Sequence, residues 1–348
     1  MSRLERTYSK DSYEAKYTIH EDHHNFRLDQ FLKLHFESFS REQVKSKIAK
    51  GDIEIPQKKQ RLKASTKVKS GETVVIKTYA CDEAQEYWRG SLIEREKSLE
   101  VIYDHEDYSV INKPAFMSTH PTGKHLFYCA TVYLENQFKH KFYSVHRLDR
   151  ETSGVMVLSK SSQSSQMITP LFENRQVKKT YFLIGVKKKS NYNFPFTAKE
   201  RLGLKENFIP NMFMHCFDES SKEGKVASTH FKLIWQNKDY LIALAFPETG
   251  RQHQIRSHAA HHGFPLLGDK IYNGDPYIFT RFKDGFSTEE DLSKMQLPRH
   301  ALHAIKLELP SPIQKNFTSN IPHDLMAWIE ENLEVNGQEL QAKIQSFL

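Results

Sequence analysis

The sequence predicts an α+β protein, built from a small N-terminal α/β unit and a larger mixed unit. Three observations carry that expectation. Residues 27–50 place apolar side chains at helical spacing and lead into short alternating strands. From about residue 99, strand-like and helix-like segments mix without the β-α-β rhythm of a parallel doubly wound sheet. The 348 residues exceed one ordinary core and suit two.

In chain order, residues 1–24 read as an extension. Within 25–80, "RLDQFLKLHFESFSREQVKSKIAK" sets Leu28, Phe31 and Leu32, then Val44 and Ile48, at helical spacing, with Ser40 as N-cap of the second run. "GDIEI" and "GETVVI" alternate as strands, punctuated by Gly51 and Gly71. Residues 81–98, "CDEAQEYWRGSLIEREKS", are highly charged and read as a linker with a short helix. Within 99–310, "LEVIYDHEDYSVINKP" reads as two strands joined by a charged turn, and "GVMVLSK", "TYFLIGVK" and "KDYLIALAFPETG" as further strands. "QHQIRSHAAHHG" reads as a helix closed by Gly263, and residues 311–348 as a helical tail.

The positive charge is concentrated. Residues 41–80 hold eleven Lys or Arg against four Asp or Glu, and the whole chain holds 50 against 43, so the remainder balances at 39 against 39. Taken alone this is the pattern of a solvated lysine-rich face; on an otherwise neutral protein it also suits a polyanion partner. Cys81, Cys129 and Cys216 are odd in number and far apart. They make neither a disulfide framework nor a CxxC metal knuckle, which fits a reducing cytoplasm. No run approaches the roughly eighteen apolar residues of a membrane span, and the N-terminus has no apolar signal core. No membrane partner is expected.

Asp149 stands between Arg147 and Arg150 in "HRLDRETSG" (146–154). A lone Leu-Asp-Arg reads as a surface carboxylate paired with its neighbour. Here it is one of four ordered stretches, with "NKPAFMSTHPTG" (112–123), "KKTYFLIGV" (178–186) and "ETGRQHQIRSHAAHHGFPLLGD" (248–269). Together they closely resemble the RluA-type RNA pseudouridine synthases, whose signature is HRLDRxTSG and whose downstream motif is GRxHQIRxH. The resemblance covers roughly residues 99–310. It implies the pseudouridine synthase fold: a mixed, largely antiparallel sheet with flanking helices and a central cleft. Residues 27–76 separately resemble the RNA-binding module of ribosomal protein S-four, with "PQKKQ" in place of that module's usual Asn-Gly turn. Phe116 stands where the synthases commonly have glycine.

The family's reaction breaks the bond from ribose to the uracil nitrogen, rotates the base and rejoins it through carbon. It is redox-neutral, and the chain has neither GxxxxGK[ST] nor GxGxxG, so no cofactor is expected. The resemblance makes Asp149 the nucleophile on a flipped-out nucleotide. It makes Arg256 the salt-bridge partner that keeps Asp149 ionised, and Tyr181 the ring that stacks on uracil and moves a proton. Read without it, Arg256 is a helix-surface arginine and Tyr181 a core tyrosine. Arg147, Arg150, Arg251 and His253 are expected to bind substrate RNA, Arg147 either at a phosphate or in the space the base vacates. The histidines of "HAAHHG" and "RHALHA" lack HExxH spacing or a cysteine pair, and no metal is expected. The implied partner is RNA, large-subunit ribosomal RNA first and transfer RNA second. A non-catalytic RNA-binding assembly protein is the reading from another class; Asp149, Tyr181 and Arg256 standing together argue against it.

Overall fold

The computed structural model describes the chain apart from residues 1–2, 9–10, 36–40, 84, 97, 123–124, 206–207, 209, 211, 276, 312 and 314. It divides into two compact units, Met1–Glu86 with His120–Lys141, and Tyr87–Thr119 with Phe142–Leu348.

In the first unit, four antiparallel strands run in the order Arg3–Tyr8, Ser12–Thr18, Thr73–Tyr79, Ile53–Glu54. Helices Leu28–His35 and Arg41–Lys50 bury Leu28, Phe31, Leu32, Val44 and Ile48, the five residues their spacing singles out. These pack against Tyr13, Ala15, Tyr17, Val74 and Ile76. Tyr13, Ala15 and Tyr17 are every second residue of a strand with one buried face. Residues 3–18 are therefore two strands of this sheet rather than an extension. Ser40, the expected N-cap, lies outside the described residues. Segment 120–141 also belongs here: Phe127 enters the core, and Glu83 accepts from the amides of Leu126 and Phe127 at 2.9 and 3.1 Å. Of the basic stretch, Lys58 and Lys77 pair with Glu72 and Glu54 at 2.7 Å each. Lys45, Lys50, Lys59, Arg61, Lys63, Lys67 and Lys69 are exposed. The expected linker carries a short 3-10 turn, Ala80–Asp82, and a two-stranded ribbon, Tyr87–Trp88 with Ser91–Leu92.

The second unit is built on a ten-stranded sheet. Its order is Phe196–Ala198, Thr229–Gln236, Tyr240–Pro247, Lys178–Val186, Leu302–Leu309, Ser153–Ser159, Tyr108–Lys113, Glu100–Asp104, with Lys315–Thr318 beside Leu302–Leu309 and Tyr143–Ser144 beside Ser153–Ser159. The pairing of Ser153–Ser159 with Leu302–Leu309 is parallel and the others are antiparallel. That parallel contact depends on Gly154: its φ is +118°, and a Cβ there would lie 2.2 Å from the carbonyl oxygen of Ala304.

The two-residue period of the central strand sorts its side chains to opposite faces. Phe182 and Ile184 pack with Leu325, Trp328 and Ile329 of helix His323–Asn332, and with Leu340 and Ile344 of helix Gly337–Gln345. Tyr181 and Leu183 pack on the other face with Ile255 and Ala259 of helix Gln254–His261. Tyr181 thus points to the face where that helix carries Arg256.

Candidate active site

Asp149 lies on a turn held from several sides. Its carbonyl accepts from Thr152 N at 3.0 Å. The amide and carbonyl of Leu148 both meet the Thr119 hydroxyl, at 3.3 and 3.2 Å. His146 Nε2 accepts from the Val157 amide at 3.0 Å, with its ring stacked 4.3 Å from Phe172. Burial, with Lys179 nearby, pushes His146 down to about 3, so it serves as a neutral acceptor. Fully buried Lys113 ties segment 112–117 to the turn, donating to the carbonyls of Met117, Pro114 and Arg150 at 2.7, 2.9 and 3.3 Å. Glu151 accepts from Lys270 at 2.9 Å, and the Thr152 hydroxyl meets His300 Nε2 at 2.7 Å.

The Asp149 carboxylate is partly buried and faces Arg256, whose Nη1 donates to its Oδ2 at 3.0 Å. Burial alone would raise the Asp149 pKa; the charges around it, with Arg256 bonded directly, outweigh that and hold it well below the usual carboxylate range. Arg256 is itself buried, and its Nε and Nη2 donate to Asp269 at 2.7 and 2.9 Å. Asp269 also accepts from the amides of Ile271 and Tyr272 at 3.0 and 3.1 Å. The guanidinium lies 5.3 Å from the centre of the Tyr272 ring. One arginine therefore joins the Asp149 carboxylate to a fully satisfied buried one. Oδ1 of Asp149 accepts no hydrogen bond among the described residues, and Asp149 lines a cleft.

His253 Nε2 lies 3.8 Å from Asp149 Oδ2. Its Nδ1 is 3.2 Å from the Tyr272 hydroxyl, whose oxygen accepts from Met214 N at 2.9 Å. Burial, then the Arg256 charge, lowers His253 to about 4, so the ring is neutral at neutral pH. The residue has φ +52° at the start of helix Gln254–His261. Gln254 holds the turn, accepting from Thr249 Oγ1 and Arg251 N at 2.6 and 3.0 Å and donating to Ser228 O at 2.9 Å.

Asp149, Tyr181, Arg256, Arg147, Arg251 and His253 all line one cleft of about 480 Å³, within the range of small-ligand sites. Burial, then the Asp149 charge, pushes the Tyr181 hydroxyl up, so it keeps its proton. Arg150 is the one expected site residue that does not line the cleft. It turns toward segment 112–117, 5.7 Å from the centre of the Phe116 ring and 3.5 Å from the Phe116 carbonyl. Phe116 has φ +64°, the left-handed region in which glycine has no Cβ conflict. The histidines of the two rich clusters have protein partners: His258 meets Thr229 at 2.9 Å, His262 meets Glu200 at 3.0 Å, and His303 meets Ser153 at 2.9 Å. Sequence reasoning missed Lys113, Lys179, Asp269 and Tyr272. The first three sit inside the quoted motifs, so their signal was present without a role; Tyr272 lies three residues past the last motif and carried none.

Comparisons with known proteins point to one family. The family model described as RNA pseudouridylate synthase matches residues 107–261. The ribosomal large subunit pseudouridine synthase D of Pseudomonas aeruginosa is 30% identical over 315 residues, covering 87% of this chain and 90% of that protein. The protein of the same name from Yersinia pestis is 29% identical over 320 residues, covering 90% and 92%. Among solved structures, human RNA pseudouridylate synthase domain containing 4 aligns with a TM-score of 0.52 at 23% identity, covering 66% of this chain and 92% of that one. At that identity it speaks to the fold alone.

Proposed function

The chain belongs to the RluA-type RNA pseudouridylate synthase family, and we propose on that premise that Asp149 is its nucleophile and large-subunit ribosomal RNA its substrate. The observation that carries the first part is the Arg256–Asp149 contact of 3.0 Å in a cleft that Tyr181 also lines. The names of its relatives support the second part. An ionised carboxylate is what the reaction needs, and Arg256 keeps Asp149 in that form while fixing Oδ2, so that Oδ1 meets the flipped nucleotide. Tyr181 stacks on the uracil, an interaction worth about 1–3 kcal/mol per base, and offers its hydroxyl as a proton carrier. Arg147 and Arg251 receive the RNA backbone. His253 faces Asp149 rather than the solvent, so its role shifts from holding RNA to orienting the carboxylate.

Residues 25–80, read as the S-four-type module within the first unit, dock the RNA through their exposed lysines, and the second unit, Tyr87–Thr119 with Phe142–Leu348, carries the catalysis. Among the described residues no helix is long and apolar enough to cross a membrane, and we infer that the enzyme works in the cytoplasm, where ribosomal RNA is. The test is to incubate the purified protein with unmodified transcripts of large-subunit ribosomal RNA and of transfer RNAs, then map pseudouridine in each. Modification of the ribosomal transcript is expected. Modification confined to transfer RNA would overturn the substrate, and modification of neither would overturn the reading.

A further inference from the structure

The cleft carries more positive charge than the reactive pair uses. Arg147, Arg175, Lys179 and Arg251 all line it, and among the described residues none of them is ion-paired with a carboxylate. Besides Asp149, whose partner is Arg256, the one lining acid is Glu173. Arg147 and Arg175 are exposed, whereas Lys179 and Arg251 are half-buried. Lys179 stands two residues before Tyr181 on the strand Lys178–Val186, and its ammonium, with three donors, makes a single long contact of 3.4 Å to the carbonyl of Thr249. The ammonium also lies within 3.9 Å of the point where a Cβ on Gly250 would sit, so it rests against the turn that presents Arg251. Burial, then the neighbouring Arg175, holds Lys179 down to about 8. A half-buried cation beside another, with no carboxylate in ion-pair contact among the described residues, is an incomplete site.

We propose that Lys179, with Arg175 beside it, is the slot for a backbone phosphate flanking the flipped nucleotide, an inference that rests on the RNA reading of this cleft. A compact ammonium suits a phosphate oxygen as a point charge. The arriving phosphate supplies the counter-charge that the protein lacks at this point. The other charged or titratable groups lining the cleft with Lys179 are Arg147, Arg175 and Arg251, which keep their charge throughout, the Asp149–Arg256 pair, Glu173, and the neutral His146, Tyr181 and His253.

The test measures filter binding of a large-subunit ribosomal RNA transcript across a salt series for the wild type, Lys179→Met and Lys179→Arg, with folding checked by circular dichroism. Lys179→Met should bind more weakly, with the slope of log affinity against log salt shallower by about 0.7–0.9, one phosphate's worth. Lys179→Arg should restore both. Wild-type affinity should fall as pH rises through about 8, while Lys179→Arg holds its affinity there; titration of the RNA is common to both and cancels. Single-turnover kinetics should place the defect of Lys179→Met in KM more than in kcat. Unchanged affinity and slope in Lys179→Met would overturn the slot. So would a loss of turnover at saturating RNA with unchanged binding, which would move Lys179 into the chemistry. The affinity and salt-slope readings need no turnover, so they stand apart from the question of whether the wild type forms pseudouridine at all.

Discussion

Asp269 grips Arg256 through two hydrogen bonds of 2.7 and 2.9 Å and so presents the remaining nitrogen to Asp149 at 3.0 Å. The carboxylate proposed to do chemistry is positioned by one that touches no solvent. Asp269→Asn keeps the shape and removes the charge that orients the arginine. Breaking a buried pair of this kind costs about 3–5 kcal/mol, so the variant should unfold at lower urea and turn over more slowly, with RNA affinity retained. Wild-type turnover in Asp269→Asn would show that Arg256 needs no second anchor.

Tyr181 separates into a ring and a hydroxyl. Tyr181→Phe should bind RNA nearly as the wild type does and fail to complete the reaction, because the proton carrier is gone. Tyr181→Ala should in addition lose about 1–3 kcal/mol of binding with the stacking face. Filter binding and single-turnover kinetics on the two variants check this; wild-type behaviour of Tyr181→Phe in both would make Tyr181 a packing residue.

The acid side of the pH profile follows from Asp149. Its pKa is held below the ordinary carboxylate value of about 4, so the anion proposed to react is fully present above that value and is lost only as pH falls below it. His253, at about 4, is neutral over the same range. Turnover at saturating RNA should therefore show no acid limb between about pH 8 and pH 5. A limb with an apparent pKa near 6 would contradict the assignment of the charged group.

Much of this was legible in the sequence, and the gaps have physical reasons. The helical spacing of Leu28, Phe31, Leu32, Val44 and Ile48 identified buried faces because period survives without tertiary knowledge. Residues 3–18 read as an extension because their strands are completed only by pairing with Thr73–Tyr79, some sixty residues away. Asp149 and Arg256 stand out by motif, whereas Asp269 shows its role only when the fold brings it under Arg256. Phe116 stands where glycine is usual in the family; its left-handed backbone explains the glycine, and the Arg150 guanidinium lies 5.7 Å from the centre of the phenyl ring.

The parallel pairing at Gly154 gives a stability prediction. Gly154→Ala would put a methyl 2.2 Å from the Ala304 oxygen at a φ of +118°. Both strands must part for it, so the variant should lose several kcal/mol, beyond the roughly 0.5–3 kcal/mol of an ordinary substitution, and show a lower Tm. A Tm equal to the wild type would mean that these two strands separate at little cost.

The basic stretch is best tested by substitution, because segment 120–141 shares the first unit's core through Phe127, and deleting the N-terminal residues would strip its cover. Changing Lys59, Lys63, Lys67 and Lys69 together to Gln should weaken RNA binding and flatten the salt slope by about 0.7–0.9 for each phosphate no longer neutralised. An unchanged slope and affinity would leave these lysines as a solvated face.

The most direct test of the central claim is pseudouridine formation by Asp149→Asn on large-subunit ribosomal RNA, under single-turnover conditions beside the wild type. The side chain keeps its shape and loses only its anion. The predicted result is no product above background, with RNA affinity equal to or tighter than the wild type. Clear product from Asp149→Asn, with mass spectrometry excluding deamidation back to Asp, would contradict the account.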